Sequence, residues 1–281
     1  MRIPLKIHKH PPEAVLTVAH RGGVLAPGAH ENSRLSIEGA IARGYDLIEL
    51  DVMSTIDHHP ILAHGAWRLY ESSQRPPIAE ITFHDKTLDE AKQQRHPVNG
   101  ERVLTLAAGL ELCRGHAGVM LDFKMEGAAP VFFQRVREAI ETYEFSNKIL
   151  TISKEVPGVR ECLEGKALFA IGPGEVQPLA DRWALGPQYY GFGIPDAQPG
   201  ANTPDNGGLT EEDVARFHNF GLPVIVAINT FRYYQYYPDA AQTHIERAAR
   251  DIERFRKAQA DGFQLDSIYD HLLFGSSMVS E

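Results

Sequence analysis

Apolar runs near residues 14–20, 46–52, 59–64, 118–124, 148–153, 167–171, 189–194, 222–229 and 262–266 punctuate the chain. Between nearly all of them lie stretches in which apolar residues recur at three- and four-residue spacing, as in 34–43, 106–114, 130–143 and 210–220. Short, almost continuous apolar runs suit strands buried on both faces, and the three-to-four spacing predicts amphipathic helices. Glu211, Glu212 and Asp213 fit the first turn of one such helix, where the dipole favours acids. Strand alternating with helix over 281 residues predicts an α/β protein, either a parallel barrel or a doubly wound sheet. Charged residues at the strand ends favour the barrel, a TIM (β/α)8 fold forming a single domain over 1–281. One stretch breaks the rhythm. Residues 66–103 are polar, carry Pro76, Pro77 and Pro97, and are expected to form a small insertion over the C-terminal face of the barrel. A second irregularity is the tyrosine run at 233–237 before a charged helix at 240–257.

Two strands place charge where apolar residues dominate. Glu49 and Asp51 share one face of the 46–52 run, and Asp122 and Lys124 share one face of 118–124, because side chains two apart project together. Unpaired charge in such strands is costly. A hard divalent cation held by the three carboxylates removes the repulsion that would otherwise force protonation. The rival reading pairs the carboxylates with Arg21 and Lys124 alone. His20 and Arg21 end the first apolar run, at the rim where barrels keep their active sites, and Gly22 and Gly23 leave room beside them.

A formal charge of −9 without a Lys/Arg-rich run argues against nucleic acid as a partner, though a few local cations suffice for a phosphate ester. Cys113 and Cys162 match no disulfide framework or zinc spacing and read as buried thiols. No run is long enough for stable membrane insertion and the N-terminus lacks a signal-peptide core, so the expected location is cytoplasmic. Nothing in the sequence fixes an oligomeric state. His8 and His10 are expected to sit in solvent before the first strand.

The series His20-Arg21-Gly22, His30-Glu31-Asn32-Ser33, Glu49-Leu50-Asp51, Thr55-Ile56-Asp57-His58 and His64-Gly65 resembles, in order, the signature of the glycerophosphodiester phosphodiesterase family. Leu104-Thr105-Leu106, Leu121-Asp122-Phe123-Lys124 and the segments at 227–229 and 261–266 extend the resemblance over roughly 14–275, densely in the first third. It implies that Glu49, Asp51 and Asp122 hold one Mg²⁺ or Ca²⁺, that Arg21 and Lys124 clamp the phosphate, and that His20 and His64 form the acid/base pair, with water or a substrate hydroxyl as nucleophile. Glu31 either joins the metal shell or ties its loop down. The implied reaction is metal-dependent hydrolysis of a small-molecule glycerophosphodiester to an alcohol and a phosphomonoester such as glycerol 3-phosphate. Alternatives are a phospholipase D/sphingomyelinase-type enzyme acting on lipid phosphodiesters, and a non-catalytic phosphate-binding barrel.

The departures bear on substrate. Gly65 replaces the family's Asp after the second histidine, so whatever orients His64 must come from elsewhere. Asp122 is a methylene shorter than the usual Glu. His58 takes a turn glycine's place, which histidine tolerates better than most residues. Val226 stands where a Trp often lines the pocket. Asn229 and Asp266 fall at later strand ends and read as structural.

Overall fold

The computed structural model describes residues 15–25, 28–69, 79–97, 99–176, 188–198, 208–236 and 243–275. In chain order its strands are β1 (Leu16–Ala19), β2 (Leu47–Ser54), β3 (Pro60–Leu62), β4 (Trp67–Leu69), β5 (Ala79–Ile81), β6 (Leu104–Thr105), β7 (Gly118–Phe123), β8 (Ile149–Thr151), β9 (Ala167–Ile171), β10 (Tyr189–Gly193), β11 (Val224–Ile228) and β12 (Gly262–Leu265). The helices are α1 (Arg34–Arg43), α2 (Leu88–Gln93), α3 (Leu106–Cys113), α4 (Pro130–Thr142), α5 (Val159–Leu163), α6 (Glu211–Asn219), α7 (Thr230–Tyr236), α8 (His244–Lys257) and α9 (His271–Phe274). Eight of the strands are the parallel strands of a TIM (β/α)8 barrel, the class predicted from the alternation. His8 and His10, residues 70–78 of the insertion and Tyr237 lie outside the described residues.

The described residues divide into two units, 15–20 with those from 168 onward in one and those between 21 and 167 in the other. The first holds the parallel order β1, β12, β11, β10, β9. Its strands are almost wholly apolar and buried, from Val224 to Ile228 without a break, as sheets covered on both faces require. Helix α6 starts where Thr210 caps the amide of Asp213 and Asp213 reaches back to Thr210, a reciprocal box with acids in the first turn. Tyr233 and Tyr236 pack inward, with the Tyr233 hydroxyl on Asp251 at 2.7 Å, whereas Tyr234 is exposed. The tyrosine run therefore anchors α7 on α8.

In the second unit β2, β7 and β8 run parallel, with Asp51 opposite Asp122 in register. The 59–64 run differs from its place in the parallel series. Strand β3 pairs antiparallel with β2, Val52 opposite Leu62 and Ser54 opposite Pro60, because five intervening residues cannot supply a helical crossover. His58, at φ 63°, closes the turn before it. Residues 66–103 also hold more apolar order than their composition suggests. Trp67, Phe83, Ala91 and Val103 form a buried cluster with Ile61 and Ala63, and α2 starts on the Thr87–Glu90 capping box.

Burial pushes the Cys113 thiol up to about 12 and the Cys162 thiol up to about 11, so both are inert buried thiols at neutral pH, as expected.

Candidate active site

The site in the second unit starts from strand register. Asp51 and Asp122 are opposed on adjacent parallel strands, and Glu49 lies two residues before Asp51, on the same face. One ligand atom from each of Glu49, Asp51 and Asp122 falls within 4.8 Å of the others, the only such group among the described residues. Glu49 and Asp51 are buried to 1% and 0% exposure. Glu31 lies outside this trio. Its carboxylate, half exposed, bonds Arg21 Nη1 at 2.7 Å.

Arg21 sits in the left-handed region at φ 52°, ψ 39°, which aims its backbone N–H at Glu49 Oε2, 2.6 Å away. Strained positions of this kind persist where the surroundings over-determine them. Gly22 follows because a Cβ there would stand 2.5 Å from the Ser36 hydroxyl in the first turn of α1. The Arg21 guanidinium reaches Glu31, His64 Nε2 at 2.8 Å and, at 3.8 Å, Asp51. Burial opposes its charge, but Glu31, Asp51 and Glu49 outweigh that and raise its pKa.

Lys124 contacts Asp122 and lies 3.2 Å from Asp51. Desolvation disfavours its ammonium, yet these carboxylates hold its pKa above the ordinary lysine value. Among the described residues, Arg21 pairs with Glu31 and Asp51, and Lys124 with Asp51 and Asp122. The all-oxygen donor set of Glu49, Asp51 and Asp122, two of the three buried, is of the kind a hard divalent cation takes.

Two further side chains, Asn32 and Ser153, hold the carboxylates of this unit. Asn32, buried at φ 58°, donates from Nδ2 to Asp51 Oδ2 at 2.8 Å and accepts the Asp51 N–H at 2.9 Å, locking that carboxylate. Its place in the His-Glu-Asn-Ser segment was the available signal. Ser153, past β8, donates to Asp122 Oδ1 at 2.5 Å and accepts the Phe123 N–H at 2.7 Å. Nothing in sequence links it to Asp122.

The first unit holds a pair of its own. His20 ends β1, Asp266 ends β12, and these strands are neighbours, so His20 Nδ1 bonds Asp266 Oδ1. Asp266 Oδ2 accepts Thr230 N–H at 2.5 Å and the Thr230 hydroxyl at 2.7 Å, beside β11. Burial would raise the Asp266 pKa, but the bonds and charge from His20 and Thr230 lower it, so it stays ionised. Asn229 Oδ1, just before α7, accepts the Arg232 N–H at 3.2 Å.

His64 arrives on the β2–β3 hairpin, whose return strand passes Asp51 through the Ala63 N–H to Asp51 carbonyl bond at 3.1 Å. Its orienting contact comes from Arg21, in place of a following Asp. Burial first, reinforced by Arg21 and Lys124 against Asp51, lowers its pKa, so the ring is neutral at pH 7.

Beyond His64 the rings of His30 and His96 stack at 3.8 Å, with Trp67 nearly perpendicular to both. Burial and the neighbouring His30 hold His96 down to about 4. Below the ordinary histidine value near 6.5 the unfolded chain therefore takes up a proton that the fold refuses, and stability falls as pH drops from about 6.5 to about 4. Urea midpoints measured across that window are expected to decline more steeply for the native chain than for His96→Gln.

Residues 20–151 match the family model described as the glycerophosphoryl diester phosphodiesterase family. A glycerophosphodiester phosphodiesterase of Caldanaerobacter subterraneus subsp. tengcongensis is 27% identical over 203 residues, covering 66% of this chain and 80% of that protein. A glycerophosphoryl diester phosphodiesterase crystal structure from Parabacteroides distasonis superposes with a TM-score of 0.66 at 17% identity, over 99% of this chain and 95% of that one. An Oleispira antarctica phosphodiesterase, solved with its product sn-glycerol-3-phosphate, gives a TM-score of 0.59 at 14% identity over 92% and 94% of the two chains. No described helix is long and apolar enough to cross a membrane.

Proposed function

We propose that this chain, as one catalytic domain over 1–281 with its insertion at about 66–103, hydrolyses small-molecule glycerophosphodiesters to an alcohol and a phosphomonoester such as glycerol 3-phosphate. The observation that carries the reading is the in-register opposition of Asp51 and Asp122 beside Glu49, bordered by Arg21 and Lys124. Glu49, Asp51 and Asp122 would hold one divalent cation, Mg²⁺ or Ca²⁺. Bound there, the ion supplies charge neutralisation for non-bridging phosphate oxygens.

The chain's own residues do the rest. Arg21 offers a planar fork and Lys124 a point charge, which together fix a tetrahedral phosphate and stabilise charge moving onto its oxygens. In hydrolysis by water, a water oxygen bonds phosphorus as the bond from phosphorus to the departing alkoxide breaks. Of His20 and His64, one takes the proton from that water and the other supplies one to the alkoxide. Asp266 fixes the His20 tautomer with the proton on Nδ1, presenting Nε2 for exchange. The Arg21 contact gives His64 an orienting partner at Nε2.

Assaying the purified protein with Mg²⁺ or Ca²⁺ on water-soluble glycerophosphodiesters beside lysophosphatidylcholine and sphingomyelin tests this. Turnover confined to the water-soluble diesters is expected; turnover confined to the lipids would transfer the site to the phospholipase-type alternative.

A further inference from the structure

Each carboxylate of the acidic trio has one oxygen held by a donor of its own. Glu49 Oε2 accepts the Arg21 N–H at 2.6 Å, Asp51 Oδ2 accepts the Asn32 side-chain amide at 2.8 Å, and Asp122 Oδ1 accepts the Ser153 hydroxyl at 2.5 Å. The Ser153 oxygen itself takes the Phe123 N–H at 2.7 Å, so its one hydrogen is directed at Asp122. Ser153 is buried, and its own N–H reaches Thr151 Oγ1 at 3.3 Å, while the Thr151 hydroxyl donates to the Leu121 carbonyl at 3.0 Å. The clamp on Asp122 is thereby tied to both β7 and β8.

Three separate donors thus fix where the second oxygens point. Lys124 Nζ meets Asp122 Oδ2 and lies 3.2 Å from Asp51 Oδ1, so these two oxygens are turned toward one cation-sized position. The flexible stem of Lys124 lets the same ammonium serve the phosphate in the function proposed above. Carboxylates clamped in this way offer one oxygen each, at fixed positions. Mg²⁺ suits so sparse and rigid a set, because it keeps its other positions for water and phosphate oxygens. Ca²⁺ takes about six to eight oxygens and gains from carboxylates free to bind through both.

We propose that these clamps make the site selective for Mg²⁺ over Ca²⁺, and that Ser153 is the positioning residue that sets the preference through Asp122. The proposal deepens the metal-dependent phosphodiesterase reading and rests on it. Glu49 and Asp51 are enclosed on all sides, whereas the Asp122 side chain is 16% exposed and has room to swing, which the Ser153 bond prevents.

The test is calorimetry of Mg²⁺ and of Ca²⁺ binding to the chelator-stripped native chain, to Ser153→Ala and to Ser153→Cys, whose thiol keeps nearly the same shape but is a weak donor. The native chain is expected to bind Mg²⁺ more tightly than Ca²⁺. In both variants Mg²⁺ affinity is expected to fall by about tenfold, the smaller end of the effect of losing a partner behind a metal ligand, with Ca²⁺ affinity little changed. Ser153→Cys carries the test if Ser153→Ala fails to fold. Ca²⁺ binding as tightly as Mg²⁺ in the native chain, or a ratio of the two affinities unmoved in the folded variants, overturns the proposal and leaves the phosphodiesterase reading standing. Binding of neither ion to the native chain overturns the metal assignment and the proposal together.

Discussion

His20→Ala is expected to lower kcat for glycerophosphodiester hydrolysis by about 10²–10⁴-fold, the usual contribution of a positioned general acid or base. The imidazole ends β1, its Nδ1 is committed to Asp266, and Asp266 is held by two further bonds from Thr230. This ring is therefore fixed in orientation before substrate arrives. Removing it leaves Glu49, Asp51 and Asp122 on other strands, so metal affinity measured by calorimetry is expected to persist within a few-fold. Asp266→Asn keeps the shape but lets an amide donate where a carboxylate accepted, favouring the wrong tautomer. Its kcat is expected to fall by on the order of a hundredfold or more, with a displaced pH profile. A His20→Ala enzyme at full speed would remove this residue from the mechanism.

Asp51→Asn is expected to be comparably severe for a different reason. Asp51 is fully buried, opposes Asp122 in register, and has both its backbone N–H and one carboxylate oxygen fixed by Asn32. The amide is nearly isosteric, so the fold should survive, and the loss falls on charge. Calorimetric affinity for Mg²⁺ or Ca²⁺ is expected to drop beyond detection, and kcat/KM by about a thousandfold, matching the several kcal/mol a divalent ion contributes to transition-state charge. Undiminished metal binding in Asp51→Asn would mean the trio is an ion-pair network and no more.

What was legible in the sequence follows from what physics makes local. Charges at 49, 51, 122 and 124 stand out because apolar strands make any charge conspicuous, and two-residue alternation assigns them to a face. Register is not local. Ser153 meets Asp122 only because β8 lies beside β7, and Asp266 meets His20 across 246 residues of sequence because β12 lies beside β1. The insertion misled in another way. Trp67, Phe83, Ala91 and Val103 come from separate short segments, so no period reveals the cluster they form. The β3 hairpin, by contrast, was within reach, since so short a link excludes a parallel return.

The most direct test is ³¹P NMR of glycerophosphocholine incubated with chelator-stripped protein, before and after Mg²⁺ or Ca²⁺ is restored. The account requires an inert spectrum without metal and, with it, conversion of the diester signal to glycerol 3-phosphate. Conversion in the stripped protein, or no conversion with metal bound, would contradict it.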